Sequence, residues 1–308
     1  MAYLTAKYSI FKHETLYICR MKVSSNKIGD IRTYYTEQLG AKLPKQEARF
    51  MVDSVISHLT NIPRLELPLE LYQRVGESLL LKIHFAVKDL LFEKPLQYII
   101  GETEFHGLTF QLNEQVLIPR PETEDLVTKI IKEFSSVKKP LRILDVGTGS
   151  GCIAVSLAKN IDAEIFAIDV SPAAIEVAQN NAKLNSVEIS FIQLDILDQS
   201  DYDKIPFNFD LIVSNPPYVR NQEKKLMKKN VLKYEPELAL FVEDDNAFVF
   251  YKAISEMAAL HLKEDGQLWF EINEYLADET KDIVQSYIDT VHVLSDYKDC
   301  QRFLKCIK

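Results

Sequence analysis

Two short stretches of this 308-residue chain combine residue types and spacings that could do chemistry. The first is Asn215-Pro216-Pro217-Tyr218, directly after the apolar run Leu211-Ile212-Val213-Ser214. Two successive prolines have no backbone N–H to donate, so the turn offers carbonyl acceptors without competing donors. Asn215 adds a neutral side-chain carbonyl. Acceptors on the Asn215 side chain and the Pro216 backbone suit the two hydrogens of a planar NH2 group, and Tyr218 can stack on the conjugated plane attached to it. The bland reading is a rigid strand exit with an aromatic plug. Such a motif reports the geometry of a nitrogen and not the molecule that carries it, because adenine N6, cytosine N4 and a glutamine side-chain amide all present it.

The second stretch is Asp145-Val146-Gly147-Thr148-Gly149-Ser150-Gly151-Cys152, with Ile153, Val155 and Leu157 opening a helical pattern. Glycines permit positive φ and close backbone approach, and a helix N-terminus favours an anionic group. A dinucleotide fingerprint needs glycine at its first, third and sixth positions. Counting from Gly147, the sixth is Cys152, so that reading fails. Asp169 ends the next strand, where a carboxylate can accept hydrogen bonds from both ribose hydroxyls of an adenosine. Asp195 can meet the adenine amino group, and Ile196 its face. Gly147, Thr148, Gly149, Ser150, Gly151 and Asp169 together suit S-adenosylmethionine, with its carboxylate at the helix end and its ribose on Asp169.

The elements that must position these residues follow from periodicity. From Pro119 onward, strand and helix patterns alternate as in a doubly wound parallel sheet. Strands are expected at Leu141–Asp145, Glu164–Asp169, Glu188–Leu194, Asp210–Asn215, Gln267–Ile272, Val291–Leu294 and Arg302–Ile307. Helices are expected after Ser150, after Ser171-Pro172, from Asn246 and from Tyr275. The last two strands are joined only by Ser295–Gln301, too short for a crossover helix, so they must pair antiparallel. Strands one and four then flank the switch point at which such sheets bind ligands. Upstream, apolar residues recur at helical spacing from Asn26 to Phe92: Ile28, Ile31 and Tyr35, then Phe50, Val52, Val55 and Ile56, then Ile83, Phe85 and Val87. Between them, Gln97 to Ile118 alternates around His106-Gly107 as a β-hairpin. The division expected is a tail at 1–20, with Met21 as a possible start, a helical substrate-recognition domain at 21–95, a linking hairpin at 96–118 and the α/β domain at 119–308.

Composition sets bounds on this picture. Charged residues are 26% and apolar residues 47% of the chain, as in ordinary globular proteins. A net charge of −9 argues against a surface that grips nucleic acid throughout. Cys19, Cys152, Cys300 and Cys306 show no CxxC spacing and the six histidines no paired-ligand motif, so reduced thiols, a cytoplasmic location and no metal are expected. No apolar run suits a membrane span. One local exception to the acidity is Val219–Lys233, where Lys224, Lys225, Lys228 and Lys229 would share one stripe if the segment were a continuous helix.

Asn215–Tyr218, the Asp145–Gly151 turn, Ile118-Pro119-Arg120-Pro121-Glu122-Thr123-Glu124 and Gln97-Tyr98-Ile99-Ile100-Gly101 together resemble the PrmC/HemK family of release-factor glutamine methyltransferases. The resemblance runs from about Met21 to the C-terminus. It implies a Rossmann-like seven-stranded methyltransferase sheet with S-adenosylmethionine as donor. It also implies methylation of the side-chain nitrogen of the glutamine in the Gly-Gly-Gln loop of peptide chain release factors. Carried onto this chain, it places Asn215, Pro216, Pro217 and Tyr218 at the glutamine, with Phe105 and Arg120 near the pocket and Ile196 at the adenine. Release factors are the partners expected, of a monomeric enzyme with no nucleic acid or membrane partner. The rivals are a DNA or RNA amino-group methyltransferase, which shares the Asn-Pro-Pro-Tyr motif, a nucleotide-dependent oxidoreductase and a catalytically silent binding module.

Overall fold

The computed structural model describes residues Val23 to Lys308. The expected tail, the start at Met21 and Cys19 lie outside the described residues. The chain divides into two units, one ending at Ile100 and one running from Gly101 to Lys308.

The first unit is helical: α1 (Ile28–Gly40), α2 (Lys45–Thr60), α3 (Glu77–Leu91) and the short α4 (Leu96–Ile100). Its core joins Ile28, Ile31, Tyr35, Val52, Val55, Ile56, Ile83 and Val87, at the helical spacing read from the sequence. Phe50 and Phe85 belong to the same periodic runs but are exposed. Neither fills the core, and Phe50 instead lies under the Arg64 guanidinium, 4.4 Å from its centroid. Within this core, the Arg32 guanidinium donates to both carboxylate oxygens of Asp53, so neither buried charge is left without a partner.

The hairpin is tighter than 96–118 and belongs to the second unit. Strands β1 (Glu102–Phe105) and β2 (Leu108–Gln111) pair antiparallel, with Phe105 opposite Leu108. His106 and Gly107 both take positive φ, 50° and 71°, as a two-residue turn matched to strand twist requires. Residues 96–100 form helix α4 and belong to the first unit. Helix α5 (Pro121–Phe134) follows, starting with Pro121 in its first turn.

The remainder is the expected alternation: β3 (Leu141–Val146), α6 (Cys152–Asn160), β4 (Ala163–Asp169), α7 (Pro172–Leu184), β5 (Ser190–Gln193) and β6 (Phe209–Ser214). An excursion then carries β7 (Val219–Arg220), α8 (Lys229–Tyr234) and β8 (Phe241–Val242), with β7 and β8 paired parallel. The chain ends with α9 (Val249–His261), β9 (Leu262–Glu271), α10 (Ala277–Gln285), β10 (Thr290–Ser295) and β11 (Gln301–Ile307). Seven strands form one sheet in the order β10-β11-β9-β6-β3-β4-β5. As the short connection requires, β11 runs antiparallel to β10, and it also runs antiparallel to β9. The reversed strand therefore lies inside the sheet and not at its edge.

Period-2 alternation divides the strands between two apolar layers. Leu144, Val146 and Ile212 pack with α9 and α10 through Ile254, Met257 and Val284. Ile143, Leu211 and Val213 pack on the opposite face with α5 and α6, joined there by Phe105 and Phe110 of the hairpin. Asn181 of α7, fully buried, accepts from Gln111 N–H (2.7 Å) and donates to Gln111 O (3.0 Å) and Ser150 O (2.9 Å). One side chain thus ties the hairpin to the glycine turn. Asn181→Ala is expected to lower the unfolding free energy by about 2–4 kcal/mol, since it strands several backbone polar groups. Urea denaturation reads this directly, and an unchanged midpoint would mean that the hairpin is anchored elsewhere.

Candidate active site

The cleft opens where the sheet order reverses, between β3 and β6, whose ends are tied by Ser214 Oγ donating to Val146 O at 2.7 Å. Gly147 and Thr148 N–H both donate to Ile168 O, so the turn folds back over the end of β4. Gly147 and Gly149 take φ of 75° and 54°, and a Cβ added at either would meet nothing within 4 Å. They border open space. Gly151 differs: at φ 80° an added Cβ would stand 3.1 Å from that of Ala178, so this glycine lets α6 and α7 approach.

Three acids govern this side. Asp169 accepts from Gly149 N–H and Ser171 N–H, each at 2.9 Å; burial raises its pKa, and those backbone bonds oppose the rise. Ser171 caps α7 through Ala174 N–H, which leaves Asp169 to the turn and the cleft. Asp145 is fully buried: Oδ2 accepts from Thr148 Oγ1 and Ala154 N–H, while Oδ1 has no partner. Burial pushes its carboxyl up to about 7. Asp195 accepts from Leu197 N–H at 2.9 Å and stands beside the buried Ile196.

A single cavity of about 340 Å³ runs along these residues. Its lining includes Gly147 to Ser150, Asp169, Asp195 and Ile196 on one side and Asn215, Pro216 and Pro217 on the other. Arg120, Thr123 and Pro236 to Ala239 also line it. Most of the residues singled out from sequence therefore meet in one space. Three do not line it. Gly151 packs helices, as above. Phe105 is 2% exposed and edge-on to Phe110 in the core, so the expectation that it borders the pocket is corrected. Tyr218 turns its hydroxyl onto Glu271 Oε1 (3.0 Å), and its ring packs against the core instead of facing the cavity. That hydrogen bond ties the turn to the end of β9.

Residues that sequence reasoning passed over complete the site. Asn215 Nδ2 donates to Thr123 Oγ1 (3.0 Å), and Thr123 Oγ1 donates to Glu271 Oε2 (2.6 Å). Glu271 is 1% exposed; burial raises its pKa, and the Thr123 and Tyr218 hydroxyls pull it back down. A lone acid in the apolar run Leu268-Trp269-Phe270-Glu271-Ile272 was the available signal. Arg120 Nη2 donates to both oxygens of buried Glu235 (2.7 and 2.8 Å), which anchors the segment leading into Pro236–Ala239. The lysine stripe does not form. Asn221–Leu226 is a 3-10 turn, the chain is extended at Met227 and Lys228, and α8 begins only at Lys229. Lys224 instead lies over Phe241, 4.2 Å from its centroid. Among the described residues, no cluster of three His, Cys, Asp or Glu is placed to hold a metal, and no helix is long and apolar enough to cross a membrane.

A family model described as "Methyltransferase small domain" matches residues 123–237. The release factor glutamine methyltransferase of Flavobacterium psychrophilum is 48% identical over 264 residues, covering 84% of this chain and 91% of that protein. Its counterpart in Chlorobaculum tepidum is 36% identical, covering 85% of this chain and 90% of that protein. The Bacteroides thetaiotaomicron protein of the same name is 42% identical over 68% of this chain and 75% of its own length.

The elevated Asp145 carboxyl gives a pH signature. The fold favours its protonated form, so its contribution to stability is fully present below the unfolded value near 3.8 and is lost as pH rises through about 7. Asp145→Asn keeps an acceptor for Thr148 and Ala154 but cannot ionise. The stability of this variant relative to the parent is therefore expected to rise between pH 4 and 7, by as much as about 4 kcal/mol. Chemical denaturation across that range would show a flat difference if Asp145 ionised normally in the fold.

Proposed function

The chain belongs to the release factor glutamine methyltransferases, and from that premise we propose how its residues carry the reaction. The enzyme transfers a methyl group from S-adenosylmethionine to the side-chain amide nitrogen of a release factor glutamine. The resemblance identifies that glutamine as the one in the Gly-Gly-Gln loop. The observation that carries the assignment of roles is the single cavity that joins the Gly147–Ser150 turn to Asn215 and Pro216.

The residues present suit the donor. Open space over Gly147 and Gly149 and the carboxylate of Asp169 in the same cavity match a ligand with a charged amino acid end and a ribose. Gly147, Thr148, Gly149 and Ser150 would hold its amino acid portion, Asp169 its ribose hydroxyls, and Asp195 and Ile196 its adenine. When bound, S-adenosylmethionine supplies an electrophilic methyl group.

An amide nitrogen has its lone pair delocalised and is a weak nucleophile. Asn215 Oδ1 and the Pro216 carbonyl accept its two hydrogens, which aims the nitrogen and stabilises positive charge as it develops there. Neither carbonyl is basic enough to keep a proton at neutral pH, so the proton lost by the amide leaves to water. Apolar lining from Pro217, Leu238 and Phe250 reduces competing water around the polar acceptors. A nucleic-acid amino group would fit the same two acceptors, but the relatives do not favour that reading.

The helical unit is assigned to release factor docking. It exposes Leu65, Leu69 and Tyr72 at 87%, 80% and 85%, all within one short connecting segment. Replacing the three by Ser is expected to raise KM for release factor severalfold, with S-adenosylmethionine affinity unchanged. Equal KM would remove the docking role from that segment.

Labelled methyl donor, offered to purified enzyme with release factor, duplex DNA and tRNA, should label release factor alone, with the mass shift on one glutamine. Label in nucleic acid would overturn the substrate assignment. Asp169→Ala should weaken donor binding by about 1.5–3 kcal/mol for each charge-assisted bond lost; an unchanged dissociation constant by calorimetry would take Asp169 off the ribose. Asn215→Ala should instead cut turnover by about 100-fold or more with donor affinity retained.

A further inference from the structure

We propose that Thr123 and Glu271 are positioning residues for methyl transfer, which act by locking the Asn215 amide with its oxygen toward the substrate. The inference rests on the reading of Asn215 as an acceptor for the glutamine NH2. Its basis is the proton count along a buried chain of hydrogen bonds.

A threonine hydroxyl has one proton to donate and two lone pairs with which to accept. Thr123, 2% exposed, spends its proton on Glu271 Oε2 at 2.6 Å. Toward Asn215 it can therefore only accept, and Asn215 Nδ2 donates to it at 3.0 Å. The two ends of an asparagine amide are nearly the same size, so sterics alone do not choose between them. The fixed direction of the Thr123 proton makes that choice. With Nδ2 held by Thr123, Oδ1 is the end left for the cavity, and it is an acceptor, as an incoming NH2 group requires. A reversed amide would present N–H to N–H.

Glu271 does a second thing with its other oxygen. Oε1 accepts from the Tyr218 hydroxyl at 3.0 Å, so one carboxylate at the end of β9 holds both ends of the four-residue turn, Asn215 through Thr123 and Tyr218 directly. Both oxygens face hydroxyl donors. Between the two anchored residues lie Pro216, whose carbonyl is the second acceptor, and Pro217. The carboxylate thereby sets the spacing of both acceptors without lining the cavity itself.

The consequences for turnover are specific. In Thr123→Val the Asn215 NH2 loses its partner and no hydroxyl holds it away from the cavity, so the amide is free to rotate and withdraw the acceptor. In Glu271→Met the Thr123 proton is released and can be donated to Asn215 Oδ1, which reverses the amide. Thr123→Val acts through Asn215 alone, so it should not matter once Asn215 is gone, whereas Glu271→Met also frees Tyr218 and keeps a further cost there.

The experiment is a double-mutant cycle on the full chain with release factor as substrate, reading kcat, KM and donor dissociation constant. Thr123→Val is expected to lower kcat by about 10–100-fold with donor affinity within about twofold of the parent, and Thr123→Ser to recover most of that loss. Adding Thr123→Val to Asn215→Ala should cost less than about twofold more. Glu271→Met should lower kcat at least as far, with donor affinity likewise retained and a residual cost over Asn215→Ala from the lost Tyr218 bond; if it does not fold, the Thr123 series decides alone. Parental kcat in Thr123→Val, or losses that multiply in the double variant, would overturn the proposal while leaving Asn215 as acceptor. Parental kcat in Asn215→Ala would instead overturn the reading beneath it, and this proposal with it.

Discussion

One buried carboxylate fixes the geometry on which the acceptor side depends. Glu271 sits at the end of β9, 1% exposed, and its two oxygens are taken by hydroxyls from Thr123 on α5 and Tyr218 after β6. These three elements are far apart in sequence. A buried carboxyl without hydrogen-bond partners is costly, so the surrounding fold has to bring them together or lose the stability of its own core. The turn from Asn215 to Tyr218 then has no freedom of its own. Its conformation is set by β9 and α5 as much as by its two prolines.

The donor side is built on a different constraint. Parallel strands β3 and β6 are neighbours in the sheet, yet β3 leads away toward β4 and β6 leads away toward β9, so their exits diverge and leave a cleft. The glycine turn closes one wall, since both Gly147 and Thr148 donate to Ile168 O. Asn181 holds the same turn to the hairpin through Ser150 O and Gln111. Two independently anchored walls therefore face each other across one cavity. Such an arrangement can hold a donor and an acceptor in line without any residue acting as a strong base.

Much of this was legible in the sequence because the signals were local. The alternation from Leu141 onward, the Ser171-Pro172 helix start and the short link between β10 and β11 each follow from neighbours in the chain. So did the glycine turn and Asn215-Pro216, whose chemistry is complete within a few residues. Much of what was not legible depended on partners 53 to 148 residues apart. Glu271 looks like a misplaced acid until Thr123 and Tyr218 are seen against it, and Glu235 gains its meaning from Arg120. Phe105 failed as a pocket residue because the hairpin packs into the α/β core, where an aromatic at that register meets Phe110. The lysine stripe failed because identical charges at helical spacing carry no information about where a helix starts, and the chain is extended at Lys228.

That Asn215 and Pro216 meet the substrate amide as acceptors is open to direct test in a structure of the enzyme with S-adenosylhomocysteine and a glutamine-bearing release factor peptide. The glutamine nitrogen is expected within about 2.7–3.2 Å of both Asn215 Oδ1 and the Pro216 carbonyl oxygen, with Asn215 Nδ2 still on Thr123. A glutamine side chain bound with its carbonyl oxygen toward Asn215, or held away from Pro216, would contradict it.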